Sequence, residues 1–185
     1  MMMNYTSKML QDICSVRSFG TNSYSAYDVT PHPFKNDSIF VLSSESGQGI
    51  YEYNSPRPGL TVSTLITKFV AGEPYVDGAR GVATMSRAKA FAVNGDATAF
   101  FIADTQGHRI RKVILGVEGT PDNSTTIVGT GTRGLQNADG LGTSISIGSP
   151  WGIAYHTSEA SYHIYYTDNV QTDYVQSILV IAQLL

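Results

Sequence analysis

The chain repeats itself. Asp77-Gly78 and Asp139-Gly140 lie 62 positions apart, and each closes a glycine-bearing segment with an apolar start, FVAGEPYVDG at 69–78 and IVGTGTRGLQNADG at 127–140. Downstream, KAFAV (89–93) aligns with WGIAY (151–155) at the same offset of 62. AFFIADTQGHRIRKV (99–113) aligns with HIYYTDNVQTDYVQS (163–177) at an offset of 64, which sets Asp104 against Asp168. A weaker copy, SIFVLSSESGQGIYEYN (38–54), sets Phe40 against Phe101 at an offset of 61. Tandem copies constrain a fold strongly, because each must build the same unit and bury its apolar face on a neighbour.

Within a unit, short β-branched and aromatic runs alternate with turn residues. The second copy predicts strands over 91–93, 99–103, 109–114 and 125–128. The 18 glycines and 11 tyrosines of the 185 residues suit strands joined by tight turns. Four strands per tandem unit is the pattern of a propeller blade. A blade repeat is usually about 40–45 residues, so the extra length is expected to be loop. The predicted fold is all-β, a β-propeller with about three four-stranded blades, over 21–70, 71–128 and 129–185. Residues 1–20 form an N-terminal extension and are a candidate for disorder.

TTIVGTGTRG at 125–134 carries the G-x-G-x-x-G spacing of a dinucleotide-binding turn at Gly129, Gly131 and Gly134. That motif needs a helix to begin there and an acidic residue about 20 positions on. The following LQNADGLGTSISIGSPWGIAY permits no amphipathic helix, and no acidic residue stands at the required distance. The glycines are therefore expected to supply positive φ in a link between the outer strand of one unit and the inner strand of the next. No cofactor is predicted.

Residues 102–113, IADTQGHRIRKV, followed by TTIVGTGTRG, an Asp-Gly and SPWGIAY, resemble the NHL-repeat family of β-propellers. The resemblance covers about 60–180. It is carried by Ala103, Asp104, His108, Arg109, Ile110, Arg111, Gly129, Gly131, Asp139, Gly140, Pro150, Gly152, Ile153 and Ala154. The first copy departs from it, with Ser43-Ser44 where Ala-Asp stands in the second. The resemblance implies a six-bladed ring that holds proteins, glycans or RNA on loop faces and rims. Calcium-dependent lactonases and a zinc-dependent amidating lyase of similar build make an enzyme the alternative. For an enzyme the inner strands offer only Asn94, Asp96 and His156 near their ends.

Elementary chemistry gives these residues roles of their own. Asp104, ending a strand, is placed to accept amide N–H groups two or three residues on and close the turn, and Asp168 is expected to do the same. Alternation along Arg109-Ile110-Arg111-Lys112-Val113 sends Ile110 between units. It sends Arg109 and Arg111 to the other side, where an arginine can lie over a tyrosine or bridge to a turn carboxylate. Charges at alternate strand positions usually mark a solvated face, the structural reading; the functional one makes Arg109, Arg111 and Lys112 an anion-binding patch. Trp151 is a rim contact in the functional reading and a core aromatic between units in the structural one. With His108 these make the candidate rim set: Trp151, Arg109, Arg111 and His108. His108, His156 and His163 lack the spacing of metal ligands, so no metal site is predicted.

Twelve basic against fifteen acidic side chains give a net charge of −3 with no basic tract, which disfavours nucleic acid as a partner. The apolar stretches are too short to insert in a membrane, and the N-terminus has no signal-peptide core. One cysteine, Cys14, excludes an internal disulfide framework. N-x-S/T patterns at Asn4, Asn36 and Asn123 keep an extracellular location open. The expected function is a non-catalytic scaffold for a protein partner. A fragment of a larger receptor ectodomain is a further alternative, because SILVIAQLL stops mid-unit. Self-association is one way for such a chain to complete its ring.

Overall fold

A computed structural model describes residues 26–43, 49–57, 60–71, 75–85, 87–117, 122–134, 140–157, 161–169 and 176–184. The expected extension over 1–20 lies outside the described residues, as does Ser44. The fold is all-β. Among the described residues the one helical element is a 3-10 turn, Gly142–Ser144.

Three antiparallel meanders follow one another along the chain. The first contains β1 (Ala26–Pro31), β2 (Ser38–Ser43), β3 (Gly49–Arg57) and β4 (Leu60–Lys68), in that spatial order. A connecting segment then carries three two-residue strands, β5 (Val70–Ala71), β6 (Gly78–Ala79) and β7 (Thr84–Met85), with β5 and β7 paired in parallel. The second sheet is built of β8 (Ala90–Val93), β9 (Ala99–Asp104), β10 (Arg109–Ile114) and β11 (Asn123–Val128). β6 adds beyond β11 to give the order β6-β11-β10-β9-β8. The third has β12 (Ser149–Thr157), β13 (Ser161–Asn169) and β14 (Gln176–Leu184). All four strands expected in the second unit are present. The extra length is only partly loop, because β6 is bound to the sheet edge and β5–β7 brace the segment.

Alternation divides the side chains between two interfaces. Phe40, Leu42 and Ile50 of the first sheet pack with Phe91, Phe100, Ile102 and Val113 of the second. On the opposite face of the second sheet, Phe101, Ala103 and Ile110 pack with Tyr162, Ile164 and Tyr166 of the third. Phe40 and Phe101, paired by the repeat, thus hold the same place in successive interfaces. β9 is buried along its whole length because both faces of its sheet are covered.

The solvated face expected at Arg111 does not exist. Its guanidinium is wholly buried: Nη1 donates to Thr84 O at 2.7 Å, and Nη2 donates to Val76 O at 2.8 Å. Nη2 also pairs with Asp77 Oδ1 at 2.8 Å, and Asp104 Oδ2 lies 3.5 Å from Nη1. Asp77 in turn accepts from Thr126 N and Oγ1, each at 2.9 Å. The connecting segment wraps over what would otherwise be an exposed strand face. A charge so enclosed must be paired and hydrogen-bonded, and two carboxylates with two carbonyls do this. Arg109, half-buried, lies over Tyr75 with its guanidinium carbon 5.9 Å from the ring centroid, as the tyrosine reading expected.

Asp104 closes its turn by accepting from Gly107 N at 3.3 Å, three residues on. Asp168 differs. Its Oδ2 accepts from Gly148 N at 2.7 Å and so fixes the start of β12. The turn it was expected to close falls at 170–175, outside the described residues.

Burial raises the Asp104 carboxyl to about 6, against the opposing pull of Arg111 and the Gly107 amide. The ordinary aspartate value is about 3.9. Between about pH 4 and pH 6 the folded protein therefore holds a proton that the unfolded chain has released, and stability falls as pH rises through that window. Asp104→Asn, neutral throughout, is expected to gain stability relative to the wild type between pH 4.5 and pH 7. Urea midpoints measured at both pH values check this, and a constant difference between the two proteins contradicts it.

Candidate functional site

The first strands of the three sheets come together. β8 lies beside both β1 and β12. Asp28 Oδ2 on β1 accepts from Phe91 N on β8 at 2.9 Å. Thr105 Oγ1, after β9, donates to Pro150 O on β12 at 2.6 Å. The first strands of the three sheets are thereby tied together, with Tyr27 on β1, Lys89 just before β8 and Trp151 on β12.

A β-bulge sets Trp151. The β12–β13 register shifts between Pro150 and Ile153. Gly152 N, inside the bulge, donates to Thr167 Oγ1 at 2.8 Å. A Cβ on Gly152 would stand 3.0 Å from that hydroxyl, so glycine keeps the hydrogen bond open. Bulges re-aim side chains, and this one turns the indole outward. Trp151 is 49% exposed, which corrects the reading of it as a core aromatic.

The Lys89 ammonium lies 4.0 Å from the Tyr27 ring centroid and 5.7 Å from that of Trp151. Such contacts at an exposed position contribute about 0.5–1 kcal/mol each, enough to bias a flexible lysine toward one conformer. The result is an apolar platform with a fixed positive charge beside it. It suits a partner that offers a flat apolar surface and an acceptor or anion.

The other expected rim residues serve the framework. His108 is held at φ +51° and its Nδ1 lies 2.6 Å from Gly148 O, joining the second sheet to the segment that leads into the third. Arg109 Nη1 donates to Tyr75 O at 3.3 Å and Nη2 to Thr130 O at 3.4 Å. Arg111 is buried, so the anion-binding patch is not formed. Gly129 and Gly131 take positive φ, at +96° and +87°, as the link reading expected. A Cβ on Gly131 would run into the Arg109 guanidinium, and one on Gly134 into the Ser146 carbonyl.

The side chains weighed for catalysis also have structural duties. Asn94 Oδ1 accepts from Thr98 N at 3.0 Å and Ala99 N at 2.8 Å. Asp96 Oδ1 accepts from Thr98 Oγ1 at 2.7 Å, and that bond lowers its carboxyl below the usual aspartate value. His156 is exposed on β12. Tyr27 and Lys89 were missed from sequence. The signal for Lys89 was available, since it stands 62 positions before Trp151 and thus at the same place in the repeat.

No protein-family model matches the chain, and no curated protein sequence matches it. Solved structures do. A protein from Bacteroides thetaiotaomicron described as an auxiliary nutrient binding protein superposes with a TM-score of 0.52 at 20% identity, over 74% of this chain and 33% of that one. A second protein from the same organism, described provisionally as a phosphatase, superposes with a TM-score of 0.50 at 12% identity, over 86% of this chain and 36% of that one. The chain spans about a third of the length of these proteins. What is shared at such identities is the β-rich fold, which hosts differing functions.

Trp151 is the one tryptophan of the chain, so its emission reports on the site directly. Acrylamide is expected to quench the native protein readily, and Lys89→Ala is expected to raise the quenching constant while moving stability by less than about 1 kcal/mol. Weak quenching that becomes strong only on unfolding contradicts the exposed platform.

Proposed function

We propose that the three sheets are consecutive blades of an NHL-type β-propeller, over about 21–70, 71–128 and 129–185, and that the chain is a non-catalytic binding module. It takes a protein or another macromolecule at the rim around Trp151. Three features support the blades. Each sheet holds a meander in chain order, with β6 added beyond β11 in the second, the first strands of the meanders are neighbours, and the link from β11 to β12 runs from the last strand of one meander to the first of the next. The resemblance of 102–113 and its flanks points the same way.

The binding reading is carried by one observation: a half-exposed indole, aimed outward by a pinned bulge, beside a lysine held by two aromatic rings. Large rigid aromatics next to a cation are the side chains on which binding energy concentrates. The solved relative described as a nutrient binding protein gives the proposal its direction.

Labelled full-length chain applied to glycan and peptide arrays supplies candidate ligands, which are then titrated against Trp151 emission. A saturable change is expected. Trp151→Ala should weaken binding by about tenfold or more, about 1.4 kcal/mol, with an unchanged melting midpoint. Equal affinity of the variant for every array ligand overturns the assignment of this rim.

A further inference from the structure

The Lys89 ammonium is a positioned charge without a counter-ion. Other cations of the molecule are matched: Lys35 meets Glu52 at 2.6 Å, Arg80 meets Asp122 at 2.7 Å and Arg111 meets Asp77 at 2.8 Å. Lys89 is half-buried, yet among the described residues its ammonium has no carboxylate partner and no hydrogen-bond acceptor. Its contacts are the Tyr27 and Trp151 rings, at 4.0 Å and 5.7 Å. Asp28, next to Tyr27 in the chain, is engaged elsewhere: Oδ1 accepts from Val29 N and Oδ2 from Phe91 N, each at 2.9 Å. Arg87, exposed two residues before Lys89, adds a second positive charge to the segment.

An aromatic ring orients an ammonium without neutralising it, and it takes up none of the three N–H donors as a carboxylate would. Two rings that hold one lysine also reduce the rotamer freedom that lysine loses when it engages an anion. A charge-assisted hydrogen bond is about twice as strong as a neutral one, so the strongest contact on offer beside Trp151 is to an anion. The other contact on offer is the 49% exposed indole, a flat apolar face.

A ligand that uses both must carry a carboxylate on a rigid unit with a flat C–H face. A pyranose carboxylate has this form: the C–H bonds of one face lie on an indole, and the carboxylate projects from the ring edge toward a neighbouring cation. An acidic peptide draws on strand-edge hydrogen bonds as well. On β8, the edge strand of its sheet, the Phe91 amide is already held by Asp28. Nucleic acid needs a row of phosphate contacts, which two cations on a chain of net charge −3 do not make. We propose that the rim around Trp151 binds an acidic sugar of the uronic-acid type, with its C–H face on the indole and its carboxylate on the Lys89 ammonium. The inference rests on the reading of this rim as a binding site and adds the class of ligand.

One array tests both levels. It carries oligosaccharides of galacturonate, glucuronate and mannuronate, each beside its methyl ester, together with neutral oligosaccharides and glutamate-rich peptides. Members that hold the full chain are titrated against Trp151 emission. An acid form is expected to bind about tenfold tighter than its ester or better, and added salt should weaken the acid but not the ester. Lys89→Met, which keeps the stem and removes the charge, should bring the acid down to the affinity of the ester, while Lys89→Arg keeps most of the difference. Trp151→Ala should weaken both forms. An ester that binds as tightly as its acid, or Trp151-dependent binding confined to peptides or neutral sugars, overturns the acidic-sugar inference and leaves the rim a binding site. Binding that Trp151→Ala does not weaken, or no binding to any member, overturns the rim as well.

Discussion

The buried Arg111 guanidinium organises the middle of the molecule. It reaches from β10 to the carbonyls of Val76 and Thr84 and to the carboxylate of Asp77, with Asp104 behind it. Val76, Asp77 and Thr84 lie on the segment between the first and second sheets, so one side chain fixes how that segment crosses the sheet. The crossing then sets β5 against β7 and lays β6 along β11. Arg80 reinforces it by pairing with Asp122, Nη2 to Oδ2 at 2.7 Å. A buried ion pair of this kind is a weak source of net stability but costs a great deal to break, because one partner removed leaves the other charged and dry. Its contribution is therefore to conformational choice: the segment has one place to lie.

The unit of the fold was legible because repetition and local chemistry agree. Strand-forming runs, an aspartate that ends β9 and a glycine three residues later each specify the same turn, and the neighbouring copies specify the same packing. Arg111 meets turn carboxylates, as the sequence reading allowed, but its burial was missed for a physical reason. Strand alternation says which side a residue takes, but whether that side meets water depends on the connecting segment, whose strands are two residues long and carry no periodic signal. For Trp151 the sequence left a rim and a core reading side by side. A strand aromatic is ordinarily core, and only the bulge between Pro150 and Ile153, pinned by Thr167, turns it out. Bulges depend on partners distant in sequence, so one strand read alone does not reveal them. Tyr27 carried the same signal as Lys89, since it stands 62 positions before it as Lys89 stands 62 before Trp151.

The glycine-rich link shows how a motif can be imitated. Its spacing matches a phosphate-binding turn because both need backbone that approaches closely and visits positive φ. In a nucleotide site the approaching group is a pyrophosphate. Here it is His108 O at Gly129, the Arg109 guanidinium at Gly131 and Ser146 O at Gly134. The same economy applies to the polar residues near strand ends: Asn94 and Asp96 build a turn, and Asp28 and Thr105 tie inner strands together.

The central claim is that the connecting segment and the second sheet form one cooperative body through Arg111. Native-state hydrogen exchange tests it most directly. The amide of Thr84, bonded to Val76 O at 3.0 Å, and that of Val70, bonded to Ala83 O at 3.0 Å, belong to the segment. They should exchange with the same opening free energy as the amides of β9 and β10, and Arg111→Met should lower both sets together. Segment amides that exchange freely while β9 and β10 stay protected would contradict it.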